Sequence, residues 1–148
     1  MTDASLTNPE TPPPALAERT PTQLARLVLA AFILTFTSAR VLVFLIMSRR
    51  IPDLYVHAGG THIHHLNYGI FLLGIVGAVL LFVRPRGRRL TASAIVYGIG
   101  LALTFDEFGM WLHLGGPYWQ RASFDAIVVI AALLGLIGFA PSLRNFRP

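Results

Sequence analysis

Five histidines, an adjacent pair of acids and one arginine stand in or beside long apolar stretches, and together they could hold a metal ion. The histidines are His57, His62, His64, His65 and His113; the others are Asp106, Glu107 and Arg40. Imidazoles grouped at helical spacing suit divalent metals, with carboxylates from a facing helix completing the sphere. His62 and His65 share one helix face if the helix already begins near Thr61, and Asp106, Met110 and His113 follow one stripe at i, i+4 and i+7. The expected ligands are therefore His62, His64, His65, Asp106 and His113, around zinc, iron or manganese. Glu107 is then the general base on a metal-bound water, and Arg40 steadies negative charge. With no cysteine in the chain, thiolate sites, iron-sulfur clusters and thiol nucleophiles are excluded.

Plainer roles compete with this one. Arg40 can meet Asp106 as a structural ion pair, since a guanidinium and a carboxylate pair bidentately and each removes the other's exposure to lipid. Histidines at a membrane boundary also serve as interfacial residues or helix caps. A bis-histidine haem through His65 and His113 would need ligands at one height, whereas these differ by roughly 7 Å.

The elements that must position these groups are transmembrane. Of 148 residues 54% are hydrophobic and 13% charged, against about 25% charged in soluble domains. Four apolar segments run from about Leu24 to Met47, Leu66 to Val83, Leu90 to Leu114 and Phe124 to Ala140. At about 1.5 Å per residue, with a little tilt or an extra turn, each can cross a hydrocarbon core of about 30 Å. Helices are required, because an open sheet would leave backbone groups unpaired in lipid. The expected fold is an all-α bundle of four transmembrane helices over residues 23–143. Residues 1–22, rich in proline, read as a disordered cytoplasmic tail without the pattern of a secretory signal, and residues 144–148 as a short cytoplasmic one.

All 12 basic residues are arginine. Arg19, Arg26, Arg84, Arg86, Arg88, Arg89, Arg144 and Arg147 fall on one side of an even number of spans, which the positive-inside rule makes cytoplasmic. The site then faces outward from a cell membrane. The net charge of +5 is a topology signal rather than a nucleic-acid surface.

Sixteen residues from the inner end of each span lie Arg40, Asp106, Asn67 and Phe124, the neighbour of Asp125, a polar layer about 24 Å above the inner edge. Asp125 is accordingly a further candidate ligand or ion partner. In the outer loop before the last span, Pro117 is expected to end the third helix and Ser123 to cap the fourth, with Trp111, Tyr118 and Trp119 in the headgroup belt. Gly59 and Gly60 let the first outer loop fold back, bringing Asp53 and Tyr55. Glycines 69, 74, 77, 98, 100, 135 and 138 read as close-packing positions.

The spacing from His57 to His62 resembles a histidine box of membrane-bound fatty-acid desaturases and hydroxylases, a family with more histidines, placed on the cytoplasmic side. Over Arg49 to Asp125, the order Ile51-Pro52-Asp53-Leu54, His62-Ile63-His64-His65, Asp106-Glu107 and Pro117-Tyr118-Trp119 resembles small bacterial four-helix integral membrane proteins. That resemblance implies the spans and no particular activity. Two function classes follow: a metal site with hydrolytic or redox chemistry, or a non-enzymatic role as a proton or cation transport subunit, in a homo-oligomer, or as an accessory subunit of a membrane complex.

Overall fold

The computed structural model describes residues 19–144 apart from 53, 55, 56 and 60. The greater part of both expected tails lies outside the described residues, as do Asp53, Tyr55 and Gly60. The chain is helical: α1 is Pro21–Met47, α2 is His65–Ala78, α3 is Gly87–Asp106, α4 is Phe108–Leu112 and α5 is Arg121–Arg144. A two-residue ladder, β1 (His57–Ala58) with β2 (Thr61–His62), is the one sheet among the described residues.

Helix α1 begins at Pro21, inside the expected tail. Gln23 donates its N–H to Thr20 Oγ1 at 3.3 Å and Thr20 donates its own to Gln23 Oε1 at 3.1 Å. Proline at the first helical position leaves no N–H to satisfy. The helix stops where Arg49 turns left-handed (φ 56°), with Arg50 N–H bonded to Leu45 O at 3.0 Å and Arg49 N–H to Ile46 O at 2.9 Å. This is a Schellman ending on a residue other than glycine.

Helix α2 begins at His65, not near Thr61. The turn carrying Gly59 (φ +57°) instead folds His57 against His62 in the ladder. His62 and His65 therefore do not share a helical face. At its other end α2 widens into a π-turn over Val79–Val83, which closes with Arg84 N–H on Val79 O at 3.1 Å.

The expected third span is two helices. The Gly109 N–H, which an unbroken helix would aim at Phe105 O, donates instead to Ser123 Oγ at 2.9 Å. Met110 N–H bonds Glu107 O at 3.0 Å, which releases the Asp106 carbonyl to accept from Arg40 Nη2 at 2.7 Å. Side chains of α1 and α5 thus satisfy what the broken ladder gives up, as buried backbone groups require. Ser123 is fully buried within the first turn of α5, so it serves α4 rather than capping its own helix. Helix α4 ends before Pro117: Leu114 turns left-handed (φ 52°), Gly115 N–H reaches Met110 O at 2.8 Å and Leu114 N–H reaches Trp111 O at 3.3 Å, a second Schellman ending.

Helix α3 packs along both α1 and α2, and α5 chiefly along α1. Glycine sets these distances. A Cβ at Gly98 would fall 2.5 Å from Val28 O, and one at Gly100 would fall 3.1 Å from Leu73 Cγ. Gly69 and Gly138 are equally closed by α3 and Arg26, while Gly74, Gly77 and Gly135 face open space, so only part of the expected glycine set packs helices. The core is Phe32, Ala102 and Ile127, flanked by Phe36, Phe105 and Leu134.

Three helices are long and apolar enough to cross a membrane: Pro21–Met47, His65–Val83 and Arg121–Ala140. In their most apolar windows only 33%, 11% and 17% of residues are buried. Most of the apolar surface therefore faces outward, as hydrocarbon surroundings permit. Helix α3 is of comparable length, but Arg88, Arg89, Ser93 and Asp106 dilute its apolar run.

Candidate functional site

Asp106 is the centre of the outer half. It is fully buried, and Arg40 Nε stands 2.7 Å from its Oδ1, a close charge contact in which the N–H is not aimed at the oxygen. Tyr118 donates its hydroxyl to Oδ2, beside which His65 Nδ1 lies at 3.6 Å, an ionic neighbour rather than a hydrogen bond. The guanidinium of Arg40 is held further by the Asp106 carbonyl at 2.7 Å and the Tyr118 carbonyl at 3.5 Å. Four rings surround it: Tyr118 at 4.3 Å, Phe124 at 4.5 Å, and Phe36 and Trp119 at 5.2 Å from centroid to Cζ. A desolvated guanidinium gains about 2 kcal/mol or more from such ring faces. Burial first, and then the bond to Asp106, push the Tyr118 phenol above its usual range, so it remains a donor.

Glu107 follows directly but turns elsewhere. Its Oε2 accepts the Leu66 N–H at 3.1 Å and its Oε1 lies 3.1 Å from His64 Nδ1. His64 is the N-cap residue of α2 and makes no side-chain cap of its own. A carboxylate from the break between α3 and α4 therefore caps α2, where the helix dipole favours negative charge. With Glu107 ionised, the contact assigns a proton to Nδ1, which makes Nε2 the basic nitrogen of the ring.

The His64–Glu107 pair lies at the polar end of a pocket of about 230 Å³, whose other walls are Leu66, Met110, Trp111, Leu114 and Gly115. Glu107 is buried, whereas the His64 side chain is 42% exposed. An apolar cavity closed by a few convergent polar groups is the usual form of a small-ligand site.

The expected metal set is not gathered at one point. Among the described residues, no group of three or more His, Asp or Glu is arranged to hold a metal ion. Arg40, Tyr118 and His65 surround the carboxylate of Asp106, His113 Nδ1 lies 2.8 Å from the Gly109 carbonyl of its own turn, and the side chain of His62 lies outside the described residues. Arg40, expected to steady charge on a substrate, is enclosed with Asp106 and rings. Asp125 stays out of the buried layer, 66% exposed and 3.6 Å from Arg121; Asn67 is also exposed.

Sequence reasoning missed Tyr118, Ser123 and the ring cage. A tyrosine after Pro117 at the end of a span looks like any belt aromatic, and Ser123 looks like a cap. The one available signal was the need of Arg40 for partners beyond a single acid. No protein-family model, curated protein or solved structure matches this chain.

Proposed function

We propose that the chain is a cell-membrane protein of four spans, α3 and α4 together making the third, with both termini cytoplasmic and an acid–base site at the outer face. In this reading the pocket takes a small, mostly apolar molecule from the outer leaflet, and His64, oriented by Glu107, exchanges a proton with it. The observation that carries it is the buried carboxylate holding both the α2 N-terminus and His64 Nδ1 at the polar end of an apolar pocket.

Site-directed acid–base chemistry is favoured over passage across the membrane by the polar groups below the layer. Thr104, Ser93 and Thr91 each donate to a carbonyl of their own helix, at 2.8, 3.0 and 3.2 Å, and are committed there rather than in a relay. Diethylpyrocarbonate labelling of protein in lipid nanodiscs, mapped by mass spectrometry, tests the dyad. His64 should react, and Glu107→Gln should slow that reaction several-fold, because the imidazole loses the carboxylate that orients it. Equal rates in the two proteins would sink the proposal. Stoichiometric zinc, iron or manganese that His64→Gln removes would replace it with a metal site.

A further inference from the structure

On another side of the helix break lies a second, larger hollow. It is a groove of about 400 Å³ lined by Phe105 and Phe108 from the two sides of the break and by Ala122, Ala126, Val129 and Ile130 from α5, with Asp125 at its polar end. The two phenylalanine rings stack at 5.5 Å and form one wall. One turn before Asp125, Arg121 stands 3.6 Å from it; the two side chains are 92% and 66% exposed. So exposed a pair adds little to stability, and Arg121, as the first residue of α5, opposes the helix dipole. The fold gains little from this cation and anion beside an apolar groove.

We propose that the groove binds one phospholipid whose headgroup carries a primary ammonium, as phosphatidylethanolamine does. Arg121 takes the phosphate, for which a guanidinium is suited, and the Asp125 carboxylate accepts from the ammonium N–H groups. One acyl chain runs along Phe105, Phe108, Ala126, Val129 and Ile130. The volume equals roughly a dozen water molecules' share of liquid, room for a chain segment but not for a folded partner. Charge order decides the class of lipid. Phosphatidylglycerol offers the phosphate but nothing for Asp125, and a choline headgroup is cationic without an N–H to donate. The inference rests on the membrane reading, with α5 starting at the outer surface, and is independent of the His64–Glu107 site.

The full chain, stripped of lipid in mild detergent and mixed with equal amounts of phosphatidylethanolamine, phosphatidylcholine and phosphatidylglycerol of identical chains, is then weighed by native mass spectrometry. Phosphatidylethanolamine should be retained several-fold over the other two. Asp125→Asn, a change at an exposed position, should abolish its advantage over phosphatidylcholine, and Arg121→Gln should weaken retention of all three. Val129→Trp, which fills the groove, should lower total retention several-fold, while His64→Gln should change nothing. Equal retention of the three lipids by the wild type would overturn the proposal, as would an ethanolamine preference that survives Asp125→Asn. Occupation of the groove by a second copy, seen as Val129→Cys disulfide dimers in native membranes, would overturn it as well.

Discussion

Asp106 and Glu107 are consecutive acids of the same charge at nearly the same depth, yet they occupy opposite kinds of surroundings. Asp106 continues α3 inward and is enclosed by a cation, a phenol, an imidazole and aromatic rings. Glu107 sits at the helix break, turns toward α2, and ends at a pocket with a half-exposed histidine. One residue of helical rotation, about 100°, separates a group committed to holding helices together from one that can meet a ligand. Neighbours in sequence need not share a role where a helix breaks between them.

The sharpest way to break this contrast is at Asp106. Asp106→Asn and Arg40→Gln should each cost about 3–5 kcal/mol, because each strands the partner charge in a buried site. The double variant should recover part of that loss, read as a coupling energy from unfolding in mixed detergent micelles. Simple addition of the two effects would mean that the ion pair is not what organises the outer half.

A second tier concerns the groups that hold this centre from α5 and its preceding loop. Tyr118→Phe should cost about 1.5–3 kcal/mol, the worth of a hydrogen bond to a charged acceptor, and Ser123→Ala about 1–3 kcal/mol by leaving the Gly109 N–H unpaired. The phenol also has a pH signature. Because its folded value is raised, its contribution is fully present below the ordinary phenol value of about 10 and is lost as pH rises through the higher folded value. Tyr118→Phe should therefore flatten the alkaline fall in thermal stability; an unchanged alkaline limb would show that another group governs it.

At the Glu107 centre the effects on stability are smaller. Glu107→Gln retains an oxygen for the Leu66 N–H but loses the charge at the α2 N-terminus, a cost of about 0.3–1 kcal/mol measurable by thermal unfolding. A loss as large as that of Asp106→Asn would erase the distinction between the two acids. Smallest of all, His64→Gln should change stability by no more than about 0.5 kcal/mol, as at other partly exposed positions, while abolishing the labelling that marks the acid–base pair.

Much of this was legible beforehand, and particular residues show where legibility ended. Counting along each helix brought Arg40 level with Asp106 because rise per residue is constant and arginines mark the inner edge. The same count put Asp125 and Asn67 in that layer and failed, since depth says nothing about which way a residue faces. The stripe through Asp106, Met110 and His113 assumed an unbroken helix. No glycine or proline between them announced a break that depends on Ser123 accepting the Gly109 N–H from another helix. The ladder pairing His57 with His62 likewise competes with a helix start at Thr61, and local propensity does not decide between them.

The amino-acid sequence by itself determined the apolar helices long enough to cross a membrane, the absence of thiol chemistry and the outward grouping of histidines with mid-span acids. These follow from composition, helical rise and the cost of unpaired backbone in lipid, all of which act locally along the chain. Only the tertiary structure decided that Asp106 belongs to Arg40 and Tyr118 while Glu107 belongs to His64 and α2. That division depends on backbone groups released at residues 105–110 and taken up by side chains from α1 and α5. Such satisfaction is a property of packed neighbours, because a buried donor or acceptor takes whichever partner the fold brings within about 3 Å.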